Sequence, residues 1–262
     1  MIDLRLSFGT NKVPVLRHND IENHVDALIA DYDPSLLEQP KALDVDDFTE
    51  NYLGLHMHYT YLSHKGFICG RMVFHNAMIL IYNPKTGLVD EEPVEKETIV
   101  IDNNLLAEKM DHVYRSTVMH ECAHWVYHRL YYSIDKLQYK NPRPPYTMCD
   151  MKSIIGRTVP GQLCSDHDWI EHQAKYFSAA ILMPRKAVFK IYHEPFVKQY
   201  IRENCIGREN DELARLMSKT FHVSQESAAI RLKSLRLSYK SGCRKDSFFS
   251  QMGNIYEPDP DY

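Results

Sequence analysis

His120-Glu121-Cys122-Ala123-His124 places three side chains at a spacing that has a chemical use. Residues four apart lie one turn above each other on a helix face. Two imidazoles so placed can hold one Zn²⁺. The Glu beside the first His then projects toward a water on the metal, where it can act as general base. The stretch predicts zinc-assisted hydrolysis of a peptide bond, with His120 and His124 as ligands and Glu121 as base. The rival reading is a pair of solvated histidines, in a chain with 14 His among 262 residues. The elements around the motif bear on that choice.

The run from Arg115 to Tyr131 contains no Gly or Pro. Val118, Cys122, Trp125, Val126 and Leu130 recur with the period of an amphipathic helix. The motif residues sit at the edge of that stripe, where a cleft-lining site belongs. His128 extends their row by a turn and reads as a group behind the ligands, a substrate-facing group or an exposed residue.

A catalytic zinc takes three protein ligands and leaves a position for water. The downstream candidate is Glu171, on a second amphipathic helix marked by Ile170, Ala174, Phe177 and Ile181. Asp166 and Asp168 suit its start, and Pro184 suits its end. Ala174, Ser178 and Ala179 are small enough for two helices to approach closely. A lone helical Glu is more often solvated, and His172, His167 and Asp168 are rival ligands by chemistry. Spacing alone leaves the third ligand open.

Thr98-Ile99-Val100-Ile101-Asp102, then His120-Glu121-Cys122-Ala123-His124-Trp125, then the run from Glu171 to Leu182-Met183-Pro184 resemble the ImmA/IrrE family of metallo-endopeptidases. That family has an I-x-I-D strand end, an H-E-x-x-H helix and an E-x-x-A-x-x-F-A-x-x-L-M-P helix. Leu213-Ala214-Arg215-Leu216, Phe221-His222-Val223-Ser224 and Ile230 to Leu235 resemble the short helix-turn-helix-like element that follows its peptidase core. The resemblance implies a zincin-like core with Glu171 as third zinc ligand. It also implies a protein substrate, an Xre-type helix-turn-helix repressor, whose cleavage relieves repression of a mobile element or stress regulon; a toxin–antitoxin role is compatible. His128, His172 and Tyr176 are candidates for stabilising the oxyanion. Cys122 and Ala123 stand where the family has Leu-Gly, and Ser178 replaces Ala. The long gap between His124 and Glu171 points to an inserted loop over Tyr139 to His167, expected to overhang the cleft.

The expected fold class is α+β. A helix is expected over Asp20–Tyr32, with strands at Leu55–Leu62, Gly70–Phe74, Met78–Tyr82 and Thr98–Ile101. These give a small, mostly antiparallel sheet packed on the two zinc helices, able to take substrate as an added strand. His56 and His58 alternate on one strand face. The expected organisation is a metallopeptidase domain over 1–204, in which an α/β region over 1–110 precedes the zinc helices over 111–204. A helix-turn-helix-like element over 205–240 and a polar tail over 241–262 complete it.

The net charge of −4 argues against a dominant nucleic-acid surface. No apolar run reaches the ~18 residues of a membrane span, and the N-terminus lacks a signal peptide's apolar core. Six scattered cysteines without a C-x-x-C pair then read as reduced thiols in a cytoplasmic chain. Cys149 and Cys164 are the pair to weigh as a disulfide or second metal site. Helices are expected over Asp211–Thr220 and Gln225–Leu237, with Ser224 as N-cap. Arg231, Lys233, Arg236 and Lys240, followed by Arg244 and Lys245, read as a basic face. A DNA-binding or protein-binding regulator with a structural or vestigial zinc site is therefore the reading from a different class. Manganese or iron could replace zinc in the cell.

Overall fold

The computed structural model describes residues 2, 4–133, 144–151, 154 and 163–239. The polar tail, Lys240, Arg244, Lys245 and much of the expected 139–167 insertion lie outside the described residues. The described residues form an α+β structure. Its strands are β1 (His56–Thr60), β2 (Ile68–Val73), β3 (Ala77–Tyr82), β4 (Val89–Val94), β5 (Thr98–Asp102) and β6 (Cys149–Asp150).

Four strands form one sheet in the order β1-β5-β2-β6. β5 is parallel to β1 and antiparallel to β2, which is antiparallel to β6, so the sheet is mixed. Every residue of β5 is buried. Its Thr-Ile-Val-Ile-Asp sequence is what a central strand covered on both faces requires. β3 and β4 form a separate antiparallel hairpin. Ile79 and Val94 of that hairpin pack with Val73 and Val100, covering one face of the sheet. β4 reads Val-Asp-Glu-Glu-Pro-Val, and its Pro and acids hide it from a propensity reading.

Helices α1 (His18–Tyr32), α2 (Asp111–Ala123) and α3 (Asp166–Leu182) lie on the other side, with α2 against the sheet. α2 packs on β2, β5 and α3, and α3 also packs on α1. Small residues bring α2 and α3 together. Ala174 and Ala180 are fully buried, and Ser178 Oγ donates to the Ser116 carbonyl at 3.0 Å. α3 starts in a capping box in which Ser165 accepts from Asp168 N–H and Asp168 accepts from Ser165 N–H. The cap is thus Ser165, with Asp168 as its reciprocal partner.

α4 (Arg185–His193) and α5 (Pro195–Asn204) lead to α6 (Glu209–Phe221) and α7 (Gln225–Ser234). Ser224 caps α7, accepting from Ser227 N–H. Leu213, Met217, Phe221, Ala228 and Leu232 belong to the same core as Val118 and Ala123 of α2. The expected basic face needs correction. Arg231 is only 2% exposed. It forms a two-pronged ion pair with Glu22 of α1 and donates to the Met183 carbonyl at 3.1 Å. Its charge is spent inside the fold, so the face loses its central cation. No helix among the described residues is long and apolar enough to cross a membrane. Cys69, Cys122, Cys149, Cys164 and Cys205 are free thiols, so Cys149 and Cys164 form no disulfide.

Candidate metal centre

α2 does not continue as an ideal helix. It passes into a π-helical turn at His124–His128 and resumes as a single α-turn at Arg129–Tyr132. The extra residue in a π turn rotates the residues after it by roughly 100°, one residue's step. Tyr127 and His128 therefore face inward. Leu130, which the simple 3.6-residue stripe places inside, is 45% exposed.

His120 and His124 lie one turn apart with their Nε2 atoms 3.1 Å from each other. Glu171 of α3 meets both, Oε2 at 3.2 Å from His120 Nε2 and Oε1 at 3.4 Å from His124 Nε2. The three groups offer ligand atoms all within 4.8 Å of one another. Two buried imidazoles and one carboxylate form the nitrogen–oxygen donor set that suits a catalytic zinc. The hydrogen bonding also leaves room for a cation. Glu171 Oε2, although beside His120, has no geometrically sound hydrogen bond, and Glu121 Oε1 has none either. A buried polar atom without a partner costs about 1–3 kcal/mol, and a cation held between these groups would relieve the Glu171 deficit.

The three groups and Glu121 shift one another's charges. Burial disfavours charge on His120, but the close approach and negative charge of Glu171 outweigh it and raise the pKa. Glu171 is held well below the usual carboxylate range. There burial is overcome by the close approach of His120 and by the charges of His120 and His124. Burial drives His124 well below its ordinary value. Glu121, fully buried, is raised to about 7 by burial, against the opposing charge of His120 and hydrogen bond from Thr147.

A chain of hydrogen bonds sets the tautomer of His124. Gln173 Nε2 donates to the Pro14 carbonyl at 2.8 Å, which turns its Oε1 toward His128 Nε2 at 2.9 Å. That nitrogen must therefore carry a proton. Burial lowers the His128 pKa to about 4, so the ring is neutral and its Nδ1 is an acceptor. His124 Nδ1–H donates to it at 3.1 Å. His124 Nε2 is left bare, with its lone pair facing His120 and Glu171.

Two of the rival ligands are engaged elsewhere, and the third, His167, lies close enough for its charge to act on His124 and Glu171. Asp168 belongs to the α3 cap, and His167 is exposed. His172 Nε2 meets His18 Nε2 at 2.9 Å. Among the oxyanion candidates, both nitrogens of His128 are occupied. Tyr176 donates to Glu22 at 2.8 Å and stacks on His18. His58 pairs with Glu92 at 3.1 Å, and neither His56 nor His58 belongs to a group of three or more possible metal ligands among the described residues.

Thr147 and Lys175 escape a sequence reading, and Cys149 enters it only as a partner for Cys164. Thr147 donates to Glu121 Oε2 at 2.6 Å. Cys149 Sγ lies within 4.8 Å of ligand atoms of His120 and Glu121. Lys175, half-buried one turn past Glu171, has its pKa lowered by burial against the attraction of Glu171. Gly70 carried a usable signal, since Gly inside a strand marks close backbone approach. A Cβ there would meet Thr117 Cγ2 at 2.7 Å and Glu121 Cγ at 3.3 Å. Compared with known proteins, the chain matches no family model and no curated protein sequence.

Proposed function

We propose that this chain is a zinc-dependent endopeptidase with a zincin-like core, related to the ImmA/IrrE metallo-endopeptidases that its motifs resemble. The observation that carries the reading is the convergence of His120 Nε2, His124 Nε2 and the Glu171 carboxylate beside the buried Glu121. His120, His124 and Glu171 would hold the ion. When bound, zinc polarises water and a scissile carbonyl and lowers the water's pKa toward ~7.

The chain's own groups supply the rest. Glu121 takes a proton from the attacking water and passes it to the leaving amine. Its raised pKa, about 7 through burial, suits a group that must both accept and return a proton near neutrality. His128 and Gln173 fix the ring of His124. The half-buried Lys175 places a positive charge near the centre.

By the same resemblance the substrate is a protein, an Xre-type helix-turn-helix repressor. Glu121→Gln tests the chemistry. It should keep zinc yet lower cleavage by about 10²–10⁴-fold, the usual contribution of a general base. Undiminished turnover in that variant would remove Glu121 from its role.

A further inference from the structure

The edge of β2 beside the metal centre is already taken. Residues 145–151 of the same chain run along it. Phe74 N–H donates to the Pro145 carbonyl at 2.8 Å, Thr147 N–H to Met72 at 3.0 Å and Met151 N–H to Phe67 at 3.0 Å. Val73 is bridged antiparallel to Tyr146, and Gly70 is the register partner of Cys149.

Strand side chains alternate between faces, and this segment uses both. Tyr146 packs with Val73 on the hairpin side. Thr147 and Cys149 come to the metal centre instead. The Thr147 hydroxyl accepts from Met72 N–H at 2.7 Å and donates to Glu121 Oε2 at 2.6 Å. Cys149 Sγ lies within 4.8 Å of ligand atoms of His120 and Glu121. One short strand therefore fills the edge and occupies the general base.

An extended peptide binds a sheet by adding a strand to an open edge. We infer that residues 145–151 are an internal stand-in for substrate, which must leave β2 before a peptide can reach Glu121. This rests on the peptidase reading above. The exchange is feasible because an incoming peptide replaces the same backbone bonds one for one. Each contributes only about 1 kcal/mol net.

The test is a reversible lock. Val73→Cys with Tyr146→Cys places two thiols on bridged partners, whose Cβ separation of about 4.5–5.5 Å is close to what a disulfide spans. Binding of a fluorescein-labelled tripeptide hydroxamate to the zinc-loaded protein is followed by anisotropy, with zinc content measured alongside. The oxidised form should bind at least about tenfold more weakly than the reduced form, a difference of about 1.4 kcal/mol, with unchanged zinc. Equal affinity in the two forms, tight or weak, overturns the inference and places the peptide outside the segment. Absence of zinc from both forms removes the peptidase reading, and the inference with it. Thr147→Ala gives an independent check. It loosens the segment and should strengthen probe binding; unchanged or weaker binding contradicts the inference.

Discussion

At the scale of single residues, the candidate centre depends on groups outside the set of His120, His124 and Glu171. His124 can offer Nε2 only while its Nδ1 keeps the proton, and that depends on His128, Gln173 and the Pro14 carbonyl in turn. Gln173→Leu breaks the sequence at its middle. It should lower zinc affinity by about 10–100-fold, the usual effect of removing a group that orients a ligand. Competition against a chromophoric chelator measures this, and unchanged affinity would mean that His124 is oriented by packing alone. That His120, Glu121 and His124 would lie together as a candidate metal site was legible in the sequence because one helical turn dictates their geometry. Glu171 was legible as a candidate on an amphipathic stripe. Gln173 and Thr147 were not, because their partners lie far away in sequence and no local pattern records such a contact.

At the scale of elements, the Arg231–Glu22 pair joins α7 to α1 and to the end of α3. Arg231→Met leaves a carboxylate buried without its cation. It should cost about 3–5 kcal/mol, read from denaturant unfolding. The pair also gives a signed pH dependence. Burial pushes Glu22 upward, but the hydrogen bond and charge of Arg231 outweigh it and hold its pKa below the ordinary 4.5. The stability this contributes is present above pH 4.5 and is lost as pH falls through the lower folded value. Glu22→Gln should flatten that acid limb; an unchanged limb would assign it to other carboxylates. The same pair explains why the basic face misled. Charge at an exposed-looking helical position cannot be told from charge paired across the fold. The π turn was hidden for a related reason, since one extra residue alters the phase without altering composition. Strand β5 and the Ser224 cap were legible because β-branched content and a capping hydroxyl act locally.

At the scale of the whole molecule, the sheet separates two jobs. One face rests on the hairpin, and the other presents β2 to α2, which carries His120 and Glu121. The C-terminal helices share the core of that helix. The burial of Arg231 and the net charge of −4 argue against a dominant nucleic-acid surface. Random duplex should not be retarded on a gel even at low salt; salt-sensitive retardation would favour the regulator reading. Zinc should also stabilise the fold by mass action, by about 2.7 kcal/mol when free zinc is a hundred times its dissociation constant. A melting temperature indifferent to zinc or chelator would contradict an ion held inside the native state.

The most direct measurement is the metal content of the purified chain by mass spectrometry, with Glu171→Ala beside it. One zinc per wild-type chain, lost in the variant, is the result expected for a centre built from His120, His124 and Glu171. A wild-type chain that takes up no metal when zinc is supplied would contradict it.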